Sequence, residues 1–175
     1  ALMIAGDYNH YEIVGILLDY AADAFEKDKD GETVLMYAIR NGDIELVRIL
    51  LESFDIKYNI NAKNEDGDTL LMNAVLKDNP EIVKMLLDAG ADPNIGNQTV
   101  NVGPAIIEAG YNSHYEIVRM LLDYGADIDA RDYDGRTLLV IAIEEANTEL
   151  LRILLDAGAN VNDENWDNNS KAIVY

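Results

Sequence analysis

The chain has 175 residues, of which 33 are acidic and 13 basic, giving a formal net charge of −20. This acidic excess excludes nucleic acid and anionic membranes as expected partners, because binding to either relies on Lys and Arg neutralising phosphate. The absence of Cys excludes disulfide frameworks and thiolate metal sites, and no apolar run approaches the roughly 18 residues that a membrane span requires. We therefore expect a soluble, cytoplasmic (intracellular) protein. The charge favours a basic protein partner; the alternative is that it only maintains solubility.

One helical motif recurs five times along the chain. Each copy has a Glu followed by two aliphatic residues and, after two more positions, by a Leu-Leu pair. The first Leu of the pair lies at positions 17, 50, 86, 121 and 154, so the copies are 33, 36, 35 and 33 residues apart. A period of this size is typical of proteins built from stacked repeats. The length of the chain therefore indicates how many repeats it contains, and not how many globular domains.

A shorter apolar segment precedes each copy and predicts a first helix in every repeat. It ends in an Ala seven residues before the Glu, at Ala5, Ala38, Ala74, Ala109 and Ala142. The segments at 33–39, 69–75 and 137–143 are apolar nearly all round, which is typical of a helix packed between neighbours. The residues predicted to cap these helices are Thr33, Thr69, Thr137 and Ser170. Those predicted to cap the second helices are His10, Asp43, Asn79, His114 and Asn147.

The second helices are expected to end in left-handed backbone, and tight turns follow them. Gly90, Gly125 and Gly158 come directly after the motif and suit the left-handed C-terminal position. Ala21 holds that place in the first repeat, where we expect strain of about 1 kcal/mol. Asp-Gly dipeptides at 30–31, 66–67 and 134–135 predict tight hairpin turns. Each repeat is thus predicted to be a turn followed by two antiparallel helices.

These features together resemble the ankyrin repeat family. The pattern is carried in its most complete copy by Asp28, Gly31, Thr33, Leu35, Ala38, Asn41, Gly42, Glu45, Leu50 and Leu51. It closes with Leu-Leu-Asp-Ala-Gly-Ala at 86–91 and 154–159. The family's usual Thr-Pro-Leu-His is replaced by Thr-Val-Leu-Met at 33–36 and by similar sequences at 69–72 and 137–140. Since that His normally supports the turn by hydrogen bonding, the departure leaves the rigidity of the turns in question.

The resemblance implies an all-α solenoid of stacked helix–turn–helix repeats with projecting hairpin-like turns. It covers essentially the whole chain and implies one domain over residues 1–175. The repeats are expected at 1–27 (partial), 28–63, 64–98, 99–131, 132–164 and 165–175 (partial). Both outer repeats are cut within a helix, so we expect either a fragment of a longer array or a disordered continuation.

The sequence contains only weak candidates for a catalytic or metal site. Glu26, Asp28, Asp30 and Gly31 have the spacing of the first half of a calcium-binding loop, but Tyr37 stands where the closing carboxylate is needed. A hairpin turn is the better interpretation. The two His residues recur at one repeat position, which indicates a structural role rather than catalysis. With no phosphate-binding loop and no cluster of zinc ligands either, we predict no enzyme, no metal and no cofactor.

The functional surface is predicted where the repeats differ. Each second helix repeats an acid–base–acid triplet, such as Glu81, Lys84 and Asp88, which we interpret as a solvated face. Ankyrin arrays bind proteins through a groove formed by first helices and turn tips, and the resemblance implies the same here. The predicted protein-binding residues are Arg40, Leu76, Lys77, Tyr111, Tyr133, Arg136 and Trp166. The leading hypothesis is a monomeric, non-catalytic protein-interaction module. The alternatives are a targeting or regulatory segment of a larger enzyme or effector, and a structural spacer in a longer array.

Overall fold

The computed structural model describes residues 1–29, 31–52, 60–97 and 102–161. Ten helices lie in this part of the chain: α1 (Leu2–Asp7), α2 (Tyr11–Asp19), α3 (Val34–Asn41), α4 (Ile44–Glu52), α5 (Leu70–Leu76), α6 (Pro80–Asp88), α7 (Ala105–Tyr111), α8 (Tyr115–Asp123), α9 (Leu138–Glu144) and α10 (Thr148–Asp156). Two short strands, β1 (Gly96–Asn97) and β2 (Val102–Pro104), precede α7. Asp30, Trp166, Ser170 and the partial repeat expected at 165–175 lie outside the described residues.

The helices form two layers that run the length of the stack. The first helices α1, α3, α5, α7 and α9 contact one another in chain order, and so do the second helices α2, α4, α6, α8 and α10. Antiparallel pairing marks the turns between repeats: β1 pairs with β2, and isolated bridges join Lys63 to Thr69 and Arg131 to Thr137. The predicted all-α stack with hairpin-like turns is confirmed. The repeat boundaries stay a prediction.

The recurring motif supplies the core between the layers. In α6, Ile82, Val83 and Leu86 are fully buried and Leu87 is 5% exposed. The spacing of these residues puts them on one side of the helix, because positions three and four apart share a face. Burying one aliphatic side chain of this size contributes about 1.5–3 kcal/mol. The repeated motif is therefore architectural.

Capping was predicted correctly at some helix starts and wrongly at others. The hydroxyls of Thr33 and Thr69 accept hydrogen bonds from the third amide of their helices, at 3.3 and 3.2 Å. The prediction that Thr137 caps α9 is wrong, since its side chain makes no hydrogen bond to the first amides of the helix. Among the second helices, side-chain capping bonds to the helix amides are made by Asp43, Asn79 and Asn147, as predicted.

The two His residues do not cap their helices, which corrects the prediction made for them. Neither side chain bonds the first amides of its helix. His114 is turned toward the preceding repeat, where its Nδ1 lies 3.1 Å from the carbonyl oxygen of Val75. His10 stacks on Tyr8, with 5.9 Å between the ring centroids. The contact of His114 joins two repeats, whereas the rings of His10 and Tyr8 are both exposed.

Left-handed backbone occurs where the second helices end, as predicted. Gly90, Gly125 and Gly158 have φ of 97°, 84° and 93°, and Ala21 has φ of 58°. One further left-handed residue joins the two helices of each repeat, and the sequence patterns missed it because only one of the five is a glycine. These residues are Asn9, Gly42, Asp78, Ser113 and Ala146.

We expect Ala21→Gly to raise the free energy of unfolding by about 0.5–1 kcal/mol. Relief of the left-handed strain outweighs the added entropy of the unfolded chain. The control is Ala89→Gly, because Ala89 has φ of −78° and glycine there brings only the entropic penalty. Urea denaturation of both variants measures the difference. Equal destabilisation by the two substitutions would contradict the prediction.

Candidate functional site

A cleft opens between the hairpin tips and first helices of the second and third repeats. Its volume is about 470 Å³, and its lining brings together three of the predicted binding residues: Arg40, Leu76 and Lys77. The tips contribute Gly31, Glu32 and residues 64–66 to the same lining. We use "cleft" for this concavity, and "groove" for the whole surface formed by the exposed sides of the first helices and the hairpin tips.

The side chains in the cleft differ in how far they are already engaged. The guanidinium of Arg40 forms an ion pair with Glu32 and lies 5.5 Å from the centre of the Tyr37 ring. Leu76 is 48% exposed, although it is a large apolar residue. Lys77 is exposed and has no ion pair within the described part of the chain. Leu76 and Lys77 are therefore available for contact with a ligand.

In the second, third and fifth repeats, one side chain at the start of the hairpin turn holds the turn. Asn64 Oδ1 accepts a hydrogen bond from the Asp68 amide at 2.8 Å, and Asp28 Oδ1 accepts one from the Glu32 amide at 3.0 Å. Asp132 occupies the equivalent position in the fifth repeat. Such side-chain bonds substitute for a backbone turn. These three turns thus have a side-chain hydrogen bond although the family's His is missing.

A second cluster forms around the buried carboxylate of Asp132, whose side chain is 1% exposed. Its Oδ1 accepts hydrogen bonds from the amides of Asp134 and Arg136, at 2.9 and 2.8 Å. Its Oδ2 accepts from the Tyr111 hydroxyl at 2.7 Å and from Arg136 Nε at 2.9 Å. Arg136 also donates to Glu144 Oε2 at 2.9 Å. The network joins the hairpin of the fifth repeat to helices α7 and α9.

The comparison with known protein families agrees with this architecture. The family model for ankyrin repeats in three copies matches residues 2–97 and 97–165. The chain belongs to the ankyrin repeat family. Ankyrin repeats are generally protein–protein interaction modules, and ankyrin domains are typically non-catalytic scaffolds. No curated protein matches the sequence.

Electrostatics keep the Asp132 cluster of the ankyrin domain in a single ionisation state. Burial opposes ionisation of Asp132, but the hydrogen bonds from Tyr111 and Arg136 outweigh it and hold its pKa below the usual value. Burial and the bond to Asp132 raise the pKa of Tyr111. Asp132 is therefore charged and Tyr111 protonated at neutral pH. The cluster lacks an activated nucleophile and is suited to holding structure.

The predicted groove residues of the ankyrin domain fall into two groups. Arg136 Nη2 lies 2.5 Å from the Tyr111 hydroxyl, and both residues donate hydrogen bonds to Asp132. Tyr133, between the turn residues of that cluster, is 69% exposed. Sequence reasoning missed Asp132 itself. The available signal is an Asp or Asn three residues before each turn glycine, at positions 28, 64 and 132.

The face opposite the groove, formed by the second helices, pairs its charges between repeats. Arg119 lies 3.0 Å from Glu149 and Arg48 lies 3.7 Å from Glu81, each across a repeat boundary. The sequence predicted triplets within one helix, of which Lys84 and Asp88 form a bond at 2.6 Å. Exposed pairs of this kind contribute about 0–1 kcal/mol each. This ankyrin face is consistent with the solvated surface predicted for it.

Within the described ranges of the ankyrin domain, no group of three or more His, Cys, Asp or Glu side chains is placed to hold a metal ion. None of the helices described combines the length and the apolar character needed to cross a membrane.

Proposed function

We propose that this ankyrin domain is a non-catalytic module that binds a protein partner through its groove. The observation that carries the proposal is the cleft, where an exposed Leu76 lies beside Lys77, Glu65 and Asp66, charged residues without an ion pair among those that the structure describes. Arg40, Leu76, Lys77, Tyr111, Tyr133, Arg136 and Trp166 are the residues assigned to binding. The domain acts as a monomer inside the cell, and its net charge of −20 selects a partner with a basic surface.

The apolar side chains provide the affinity in this proposal. Leu76 and Tyr133 are each large, and they are 48% and 69% exposed. Tyr is enriched among the few residues that contribute most of the energy of protein interfaces. A large aliphatic side chain such as Leu76 adds to the affinity when a partner removes it from water. Their surroundings are held by helix packing and by the turn bonds at 64–68 and 132–136. A preformed surface loses little conformational entropy on binding.

Tyr111 and Arg136 support binding in a different way from Leu76. Because their polar atoms are bonded to Asp132, they fix the hairpin that carries Tyr133. Their substitution would change the hairpin as well as the binding surface. The direct test therefore uses the two anchors whose side chains are free.

The test is affinity capture with the full chain, followed by mass spectrometry and then binding measurements with the identified partner. We expect Leu76→Ala combined with Tyr133→Ala to weaken that binding by about 10- to 100-fold, since each anchor contributes more than about 1 kcal/mol. The matched control is Leu155→Ala combined with Tyr20→Ala. These residues are 40% and 86% exposed and belong to the second-helix layer.

The control variant should bind the partner as tightly as the wild type does. Circular dichroism at increasing temperature checks that both variants remain folded. If the groove variant binds normally, or if the control loses as much affinity, the groove does not contain the binding site.

A further inference from the structure

We propose that the cleft binds an extended segment of the partner in which a Lys or Arg side chain lies close to an apolar one. The inference rests on the function proposed above and specifies the chemistry of the partner. It is carried by three features of the cleft: an apolar patch, two carboxylates that have no cationic partner in the described part of the chain, and two side-chain amides. Each of them matches a different part of such a segment.

The carboxylates lie at the hairpin tip of the third repeat. Within the described residues, the side chains of Glu65 and Asp66 have no cationic partner, whereas Glu32 of the neighbouring tip is paired with Arg40. The Glu65 carboxylate lies against the backbone of Gly31, where an added Cβ would come within 2.7 Å of Oε1. This contact places the charge between the two tips, so a basic side chain entering the cleft meets an uncompensated negative charge.

The apolar patch lies on the helices that line the cleft. Met36 on α3 is half-buried and Leu76 on α5 is 48% exposed. An apolar side chain that covers them removes both from water, which gains roughly 25 cal/mol for each Å² buried. Lys77 follows Leu76 in the lining of the cleft, and its positive charge has no ion-pair partner among the described residues. The basic side chain of the segment is therefore directed toward the tip, away from the end of α5.

Two amide side chains fit the backbone of an extended segment. Asn73 donates its Nδ2 to the Thr69 carbonyl, which leaves Oδ1 as an acceptor. Asn64 uses Oδ1 to hold its turn, which leaves Nδ2 as a donor. Both residues line the cleft. A peptide backbone offers the N–H and C=O groups that complement this pair. A volume of about 470 Å³ is in the range of sites that enclose a short ligand.

Selection from a displayed library of random peptides on the full chain tests the inference. We expect enriched peptides to share a Lys or Arg within about three residues of an apolar residue. A synthetic peptide with the enriched sequence should bind E65Q/D66N about tenfold more weakly than it binds the wild type. Its binding to the wild type should also weaken about tenfold as salt is raised from 50 to 500 mM, which shortens the screening length about threefold. The control E12Q/D19N removes two exposed carboxylates from α2, in the second-helix layer, and should bind the peptide as tightly as the wild type does.

E65K/D66K provides a second readout, because it should enrich acidic peptides in place of basic ones. Both tip residues are exposed and their side chains have no partners within the described chain, so thermal unfolding of these variants should match that of the wild type. The inference would be overturned if the enriched peptides lacked a basic residue or if the selection enriched no peptide. Unchanged binding of the peptide to E65Q/D66N would also overturn it. Loss of the captured partner in the Leu76 and Tyr133 variant would still support the function proposed above, so the two failures are distinguishable.

Discussion

Replacing Asp132 by alanine should lower the free energy of unfolding by about 3 kcal/mol. The substitution removes a carboxylate that accepts four hydrogen bonds, two from turn amides and two from the side chains of Tyr111 and Arg136. Hydrogen bonds to a charged group contribute about 1.5–3 kcal/mol, and breaking a buried ion pair costs about 3–5 kcal/mol. We expect a loss of stability at the lower end of the range for a broken ion pair, because the Arg136 side chain is 32% exposed and keeps its bond to Glu144. Urea denaturation measures the loss.

Two matched variants separate the cluster from the turn. Asn64→Ala removes the equivalent turn bond of the third repeat, where we expect a loss of about 1 kcal/mol. Asp132→Asn keeps an oxygen for the turn amides but loses the charge that binds Arg136, so its stability should be intermediate. A loss in Asp132→Ala no larger than that in Asn64→Ala would show that the buried network contributes nothing beyond the turn.

Replacing Ile82 by alanine should lower the free energy of unfolding by about 3–4 kcal/mol. Ile82 is fully buried, and truncating such a residue in a core costs about 2–5 kcal/mol. Ile13 occupies the same repeat position in α2 but is 47% exposed. Ile13→Ala should therefore lose less than about 1 kcal/mol. Denaturant midpoints and slopes of both variants provide the measurement, and equal losses would contradict the account of the core.

The fold could be predicted because its signal is local and repeated. The spacing of Ile82, Val83, Leu86 and Leu87 puts an apolar stripe on one side of a helix, and copies every 33 to 36 residues require that side to pack on neighbours. The features of the fold that were predicted wrongly are single hydrogen bonds. A capping bond was predicted at Thr137 from its residue type, but whether the bond forms depends on the orientation of the side chain, which the sequence does not specify.

The candidate site was predictable only in part, because its interactions join different repeats. The exposure of Leu76 follows from its repeat position, and the structure agrees. The turn position of Asp132 has a sequence signal, but its bond to Tyr111 could not be predicted, since Tyr111 lies 21 residues earlier in the preceding repeat. The bond between Arg119 and Glu149 was missed for the same reason, as the two residues are 30 positions apart.

In the proposed function a partner contacts the groove, where the repeats differ, and not the opposite face, where they agree. Photo-crosslinking distinguishes the two faces, with a photoreactive amino acid placed either at Leu76 in the groove or at Arg119 on the second-helix face. Both side chains are exposed, and the ion pair lost with Arg119 is a surface pair of small energetic value. We predict crosslinks to the partner from position 76 and none from position 119. Crosslinks from position 119 alone, or of equal yield from both positions, would contradict the account.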